Sequence, residues 1–274
     1  MFNLQIRLLL IALRVWSRFP GVARIVPAAA SDERFVRSLR YAPAVGILVA
    51  IPAALVYAIA GLWLPHPVSV LGAMACAMLL TGTLHERAFA ALCDGLGARR
   101  DPVRAREAMR DVHRGSMASV GITMLLLARV ETLSSIDPSW IAVTLICSAA
   151  ISRGCAVAML ATLDQAPESA PDGDHGEASA RTGPAGLDLG IAIGWSTAPL
   201  LAAIAWTGDA GVFIAGGALA AIATLLLRRQ VARRLDGHTR ECFGGAQQIA
   251  ELAFQLGVLA TLSIADETLA DPSS

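Results

Sequence analysis

Residues 79–121 read LLTGTLHERAFAALCDGLGARRDPVRAREAMRDVHRGSMASVG, and this stretch decides how the chain is understood. It begins in an apolar run, turns abruptly polar and returns to an apolar run. Glu86 and Asp94 sit at the end of the first run, and Asp111 and Arg114 stand just before the second. Ionisable groups beside helices apolar enough for a membrane are expensive and mark a site. Carboxylates and arginines where a helix meets water suit a metal ion and a phosphorylated substrate.

The rest of the chain supplies the membrane helices. Hydrophobic residues make up 55% of it and charged residues 16%, with a mean hydropathy of +0.58. That is more apolar surface than a soluble core uses. Apolar runs recur at 42–64, 67–92, 116–136, 139–163, 186–206, 209–227 and 246–266, each long enough to cross roughly 30 Å of hydrocarbon as a helix. Ala, Leu and Gly dominate without period-two alternation, which argues against strands. The expected fold is therefore all-α: one integral membrane domain over 1–274, a polytopic bundle of about seven transmembrane helices. A soluble protein with buried helices is the weaker alternative, because core helices do not repeatedly exceed 20 apolar residues.

Orientation follows from arginine, since all 22 basic residues are Arg. They concentrate before the first span, between the second and third, and between the sixth and seventh. The turns near Pro65, Asp137 and Asp209 have none. The positive-inside rule puts the N-terminus in the cytoplasm and the C-terminus outside. Residues 164–185, rich in Pro, Gly, Ala and acid, read as a mobile cytoplasmic loop. Arg7, Arg14 and Arg18 share one helical face, so residues 1–20 read as an amphipathic interfacial helix, with a tilted extra span as the alternative. Arg153 lies too deep to be a surface charge and needs a partner. Arg129 and Glu131 lie toward the opposite side and are expected to snorkel or pair. The five cysteines show no CxxC spacing, and most behave as small hydrophobes. The carboxylates and histidine of the 164–185 loop have nothing local to fix metal geometry.

Several motifs together resemble one family, the polytopic cobalamin synthases or adenosylcobinamide-GDP ribazoletransferases. These carry a GG-x-H-x-DGLADT-x-DG stretch followed by MRDSR-x-G. In this chain WSRFP at 16–20 is similar to the family's early turn, and RYAPAVG at 40–46 to its entry into the first span. MRDVHRG at 109–115 keeps Asp111 and Gly115, and SRGCAVAML at 152–160 places Arg153. DGHTRECFGGAQQIAEL at 236–252 resembles GG-x-TGD-x-LGA-x-QQ-x-x-EL, with Arg240 for Gly and Glu241 for Asp. Two family aspartates fall on Arg87 and Ala91. Positions 87, 91 and 94 share a helical stripe, so the face that the family makes acidic reads Arg, Ala, Asp here.

The resemblance implies a transferase that joins adenosylcobinamide-GDP to α-ribazole or its 5′-phosphate, releasing GMP late in cobalamin biosynthesis. It implies Mg2+ as cofactor, held by Asp94, Asp111, Glu86 and Glu241, with Asp94, Asp111 and Glu241 as catalytic residues. Arg18, Arg110, Arg114, Arg153, Gln248 and Glu251 are the implied substrate-binding residues. The implied location is the bacterial inner membrane with the active face cytoplasmic. The other expected partner is membrane lipid; nucleic acid is not expected, and homo-oligomerisation is open. Two alternatives stand beside this: a catalytically impaired descendant that binds corrinoid or nucleotide or acts on another phosphodiester, and a transporter or assembly subunit.

Overall fold

A computed structural model of the protein describes residues 2–19, 21–25, 32–97, 101–111, 115–166, 184 and 186–270. The described residues are helical throughout apart from turns and one isolated parallel bridge between Gln165 and His238. Three short N-terminal helices, α1 (Phe2–Trp16), α2 (Val22–Ile25) and α3 (Asp32–Ser38), lead through a 3-10 turn into α4 (Ala42–Ala60). Then follow α5 (His66–Thr81), α6 (Leu84–Gly97), α7 (Pro102–Arg110), α8 (Ser116–Ser135), α9 (Pro138–Ala161), α10 (Leu187–Thr207), α11 (Ala210–Leu235) and α12 (Arg240–Ala270).

Six helical stretches are long and apolar enough to cross a membrane: Glu33–Ala60, Ser116–Ser135, Pro138–Ala161, Leu187–Thr207, Ala210–Leu235 and Arg240–Ala265. With α5 they make the polytopic bundle expected from hydropathy. Their outer surfaces are apolar, as at Leu55, Leu79, Leu201 and Leu226, the arrangement that hydrocarbon requires. Trp63 and Trp206 are exposed at the bundle end that lacks arginine, where an aromatic belt belongs. At that end Asp137 and Asp209 cap α9 and α11 by accepting from Ser139 N and Val212 N.

The second span departs from the sequence expectation of one helix over 67–92. α5 ends at Gly82, and α6 leaves at 88° to it. The cause is two successive left-handed residues, Gly82 (φ 64°) and Thr83 (φ 55°). Glycine adopts that conformation freely, whereas Thr pays about 1–2 kcal/mol for it. The polar motif therefore lies on a separate helix folded across the bundle, packed against α12, α8 and α7. The last two spans also extend beyond the expected limits, to Leu235 and from Arg240.

Two apolar clusters divide the interior. One, at the arginine-rich end, gathers Trp16, Val45, Leu92, Met109, Val157, Leu235 and Phe243. The other, in the opposite half, gathers Tyr57, Met74, Leu133, Ile141, Phe213 and Phe254. α1 joins the first cluster through Ala12 and Trp16. Its Gln5 accepts from Arg40, which also pairs with Asp188 at 2.6 Å. The N-terminal helix is thereby tied to the starts of α4 and α10.

Candidate functional site

Between the two apolar clusters lies a polar chamber of about 40 Å3, room for a few waters. α4 and α5 wall it with small side chains such as Ala50, Ala53, Ala73 and Ala77. α6, α8, α9 and α12 supply polar ones. Glu251 is eleven residues beyond the start of α12, about 16 Å along it, a depth at which an ionised group needs a partner.

The partners form one chain of contacts. Arg129 Nη2 donates to Glu251 Oε1 at 2.5 Å and Arg129 Nη1 to Gln248 Oε1 at 3.0 Å. Gln248 Nε2 donates to Glu86 Oε1 at 2.9 Å, and Gln247 donates to the other oxygen of Glu251. Arg153 is 3% exposed, and its Nη1 donates to Ala149 O at 2.9 Å. α4 makes room for that guanidinium at Gly46, where a Cβ would stand 2.9 Å from Arg153 Nη1. Glu86 Oε2, Arg153 Nε, Gln247 Oε1 and both ring nitrogens of His85 have no hydrogen-bond partner. Two carboxylates and two guanidiniums make the chamber neutral in sum, with hydrogen-bonding capacity left over for a ligand or water.

Above the chamber, at the arginine-rich end, the sequence motifs meet. Arg18 N donates to Leu80 O at 2.6 Å, and the Arg18 side chain fills the space above Gly82. Trp16 stacks on Phe243 with centroids 4.0 Å apart and on His85 at 6.2 Å. Gly244 lets α12 approach α6, since a Cβ there would be 2.5 Å from Ala88. The early turn, the first-span entry, the polar motif, the Arg153 segment and the last motif thus close on one another.

The site residues expected from sequence separate into groups. Glu86, Arg153, Gln248 and Glu251 come together in the chamber, joined by Arg129, His85 and Gln247. Arg129 is not at the surface but buried and paired, while Glu131 is exposed. Asp94 is buried elsewhere: Oδ2 accepts from Gly115 N at 2.8 Å and Oδ1 from Ala118 N at 2.9 Å. It caps α8 from across the α6–α8 contact, as an acidic side chain at a helix N-terminus does. Asp111 and Arg110 are exposed at the end of α7, and Glu241 is half-buried in the first turn of α12. Arg18 is exposed beside the α5–α6 break. Arg114 and most of the 164–185 loop lie outside the described residues.

The donor set does not fit the expected magnesium. Asp94 has both oxygens engaged by backbone amides, Ala91 is fully buried, and position 87 is a cation. Among the described residues, no group of three His, Cys, Asp or Glu side chains is placed to hold a metal. Glu86, the fourth expected ligand, is turned into the chamber toward Gln248.

His85 lines the chamber although the sequence analysis gave it no role. Its signal was local: it adjoins Glu86 in the polar motif, at the position of the family's own histidine.

Comparison with known proteins gives the family. The family model described as cobalamin-5-phosphate synthase (CobS) matches residues 8–259. A protein of Leptothrix cholodnii named adenosylcobinamide-GDP ribazoletransferase is 35% identical, over 93% of this chain and 96% of its own length. A protein of the same name from Azorhizobium caulinodans is 33% identical, over 90% and 93%, and one from Vibrio cholerae 30% identical, over 94% and 95%. No solved structure matches the chain. The match covers the N-terminal turn, the polar motif on α6 and the glutamines of α12 alike, and the chain belongs to the cobalamin-5-phosphate synthase family.

Proposed function

We infer that this chain is a membrane-bound transferase that joins adenosylcobinamide-GDP to α-ribazole, free or as its 5′-phosphate, in the last steps of cobalamin biosynthesis. A ribose hydroxyl attacks the phosphorus nearest the corrinoid arm. The new P–O bond replaces the bond to the second phosphate, GMP departs, and the hydroxyl proton passes to solvent. Such a transfer depends on positioning and on stabilising charge rather than on covalent help from the protein. The observation that carries the reading is the meeting of the family's motifs around the α5–α6 break. There a soluble nucleotide and an amphiphilic corrinoid can reach one place. Arg18 stands at the break as a guanidinium fork suited to phosphate. The paired chamber holds α6 at its angle through Glu86 and Gln248.

The concentration of arginine at this end supports the reading that the active face is cytoplasmic, on a bundle held in the bacterial inner membrane. Any magnesium that the reaction uses would take its ligands from the substrate's phosphates and water more than from α6. Arg87 and Ala91 favour, as a second reading, a descendant that binds corrinoid or nucleotide and turns over slowly. The charged chamber and broken helix also have counterparts in transporters, but those use broken helices in corresponding pairs. Among the described residues there is one such break.

The test is GMP release by the purified chain in nanodiscs, given adenosylcobinamide-GDP and either acceptor. GMP formed in step with the joined corrinoid is the expected result; none with either acceptor refutes the transferase.

A further inference from the structure

The chamber between the two apolar clusters holds more hydrogen-bonding capacity than its own residues use. Glu86 Oε2 and Gln247 Oε1 are buried acceptors without a donor, and Arg129 Nε and Arg153 Nε are buried donors without an acceptor. All four residues line the same cavity, and the most exposed of them, Glu86, is at 7%. Leaving buried polar groups unpaired is costly, so such a set calls for a guest.

Charge, size and wall chemistry narrow what the guest can be. Glu86 and Glu251 balance Arg129 and Arg153, so a charged group would bring an uncompensated charge into a buried place, whereas a neutral one keeps the balance. The cavity volume of about 40 Å3 is room for about three waters, or for a group of three heavy atoms. Ala50, Ala53, Ala73 and Ala77 on the α4 and α5 walls suit methylenes. A primary carboxamide answers each constraint. It is neutral, and it has three heavy atoms. Its two N–H groups match the two orphan acceptors, and the two lone pairs of its oxygen match the two orphan guanidinium N–H groups. Thr81 and His85 also line the cavity, one on each side of the Gly82–Thr83 turn. The cavity therefore adjoins the α5–α6 break.

We propose that the chamber is a carboxamide subsite, which takes one amide-bearing arm from the rim of the substrate. The proposal rests on the reading above that the substrate is a corrinoid, a macrocycle that carries primary amides on short methylene arms. Glu86 and Gln247 accept from the amide nitrogen, and Arg129 and Arg153 donate to the amide oxygen. The chamber thereby selects against a corrinoid whose corresponding arm ends in a carboxylate, because Glu86 repels that group.

The test uses the full chain in nanodiscs, with cobinamide lacking the nucleotide and the monocarboxylates made by hydrolysing its amides one at a time as probes. One monocarboxylate should bind about thirtyfold more weakly than cobinamide, and the others within about threefold of it. Glu86→Gln keeps the shape and removes the repelling charge, so discrimination against that one acid should fall to about threefold. Ala77→Val narrows the cavity from α5 without touching the polar set. It should weaken cobinamide binding about tenfold, with a melting point no lower than that of the wild type. Ala53→Val fills the same cavity from α4 and serves where Ala77→Val does not fold. Equal binding of every monocarboxylate, discrimination unchanged in Glu86→Gln, or undiminished cobinamide affinity in the alanine variants would each overturn the proposal and leave the chamber to bound water. GMP release is read separately. Discrimination without release refutes the transferase and leaves the subsite standing; release without discrimination does the reverse.

Discussion

The chamber inside the bundle and the outer face of α6 are a few residues apart in sequence and opposite in design. In the chamber, Glu86, Arg129, Gln247, Gln248 and Glu251 answer one another at hydrogen-bond distance. On the outer face, Arg87 stands exposed where the family's acidic pattern is replaced. Burial accounts for the difference. A change inside the chamber strands a buried charge without its partner, and the whole fold answers for it. A change on the outer face meets solvent and alters what the surface can hold. Divergence from the family pattern at Arg87, which is exposed, and at Ala91, which is buried in the apolar core, has left the charged set of the chamber in place.

The largest effect that would sharpen this contrast lies at Arg129. Arg129→Ala leaves Glu251 charged and buried, and should cost about 3–5 kcal/mol. Reversible unfolding in mixed micelles measures it. Arg129→Met combined with Glu251→Leu removes both charges and should recover most of the loss. A double variant no more stable than the single one would break the view of the chamber as a coupled unit.

A smaller effect is expected at Asp94, which sits on the changed face yet serves the scaffold. Asp94→Ala removes the acceptor for Gly115 N and Ala118 N and should destabilise by about 1–2 kcal/mol, read as a lowered midpoint. Unchanged stability with abolished turnover would return Asp94 to the ligand role.

The smallest effect belongs to His238, in the turn between α11 and α12. Burial holds its pKa below the ordinary 6.5, so the unfolded chain takes up the proton first as pH falls. The neutral ring's contribution is therefore complete above pH 6.5 and is lost as pH drops below it toward the folded value. Melting points of the wild type should decline from pH 7 to pH 5, and His238→Gln should flatten that slope. Equal slopes in both proteins would assign the decline elsewhere.

Much of this was legible in the sequence, for reasons that can be named. Hydrocarbon imposes a length and a composition on every span, so seven apolar segments announce themselves. Its depth marked Arg153 as needing a partner, and the motifs singled out Gln248 and Glu251, which the fold brings to the same chamber. The break at Gly82 was hidden because left-handed residues in an apolar run leave no hydropathy signal, and threonine is not a residue that announces such a turn. Arg129 was expected to snorkel or pair, and its partners were hidden because Glu251 lies 122 positions away and Gln248 lies 119 away. No local pattern encodes a contact of that range. Asp94 read as a ligand because carboxylates that cap another helix look the same in sequence as carboxylates that bind a cation.

The turn at Gly82 also sets how the protein fits its bilayer. α5 has 16 residues and is therefore about 24 Å long, several ångströms less than a hydrocarbon core of about 30 Å. Such a mismatch is relieved by thinning the lipid beside the short helix. The membrane next to α5 should dip on the side of the break, carrying the water boundary down toward the chamber. A corrinoid with its nucleotide arm would then meet the protein in a dimple, its apolar rim resting on lipid and its phosphates already at the level of α6.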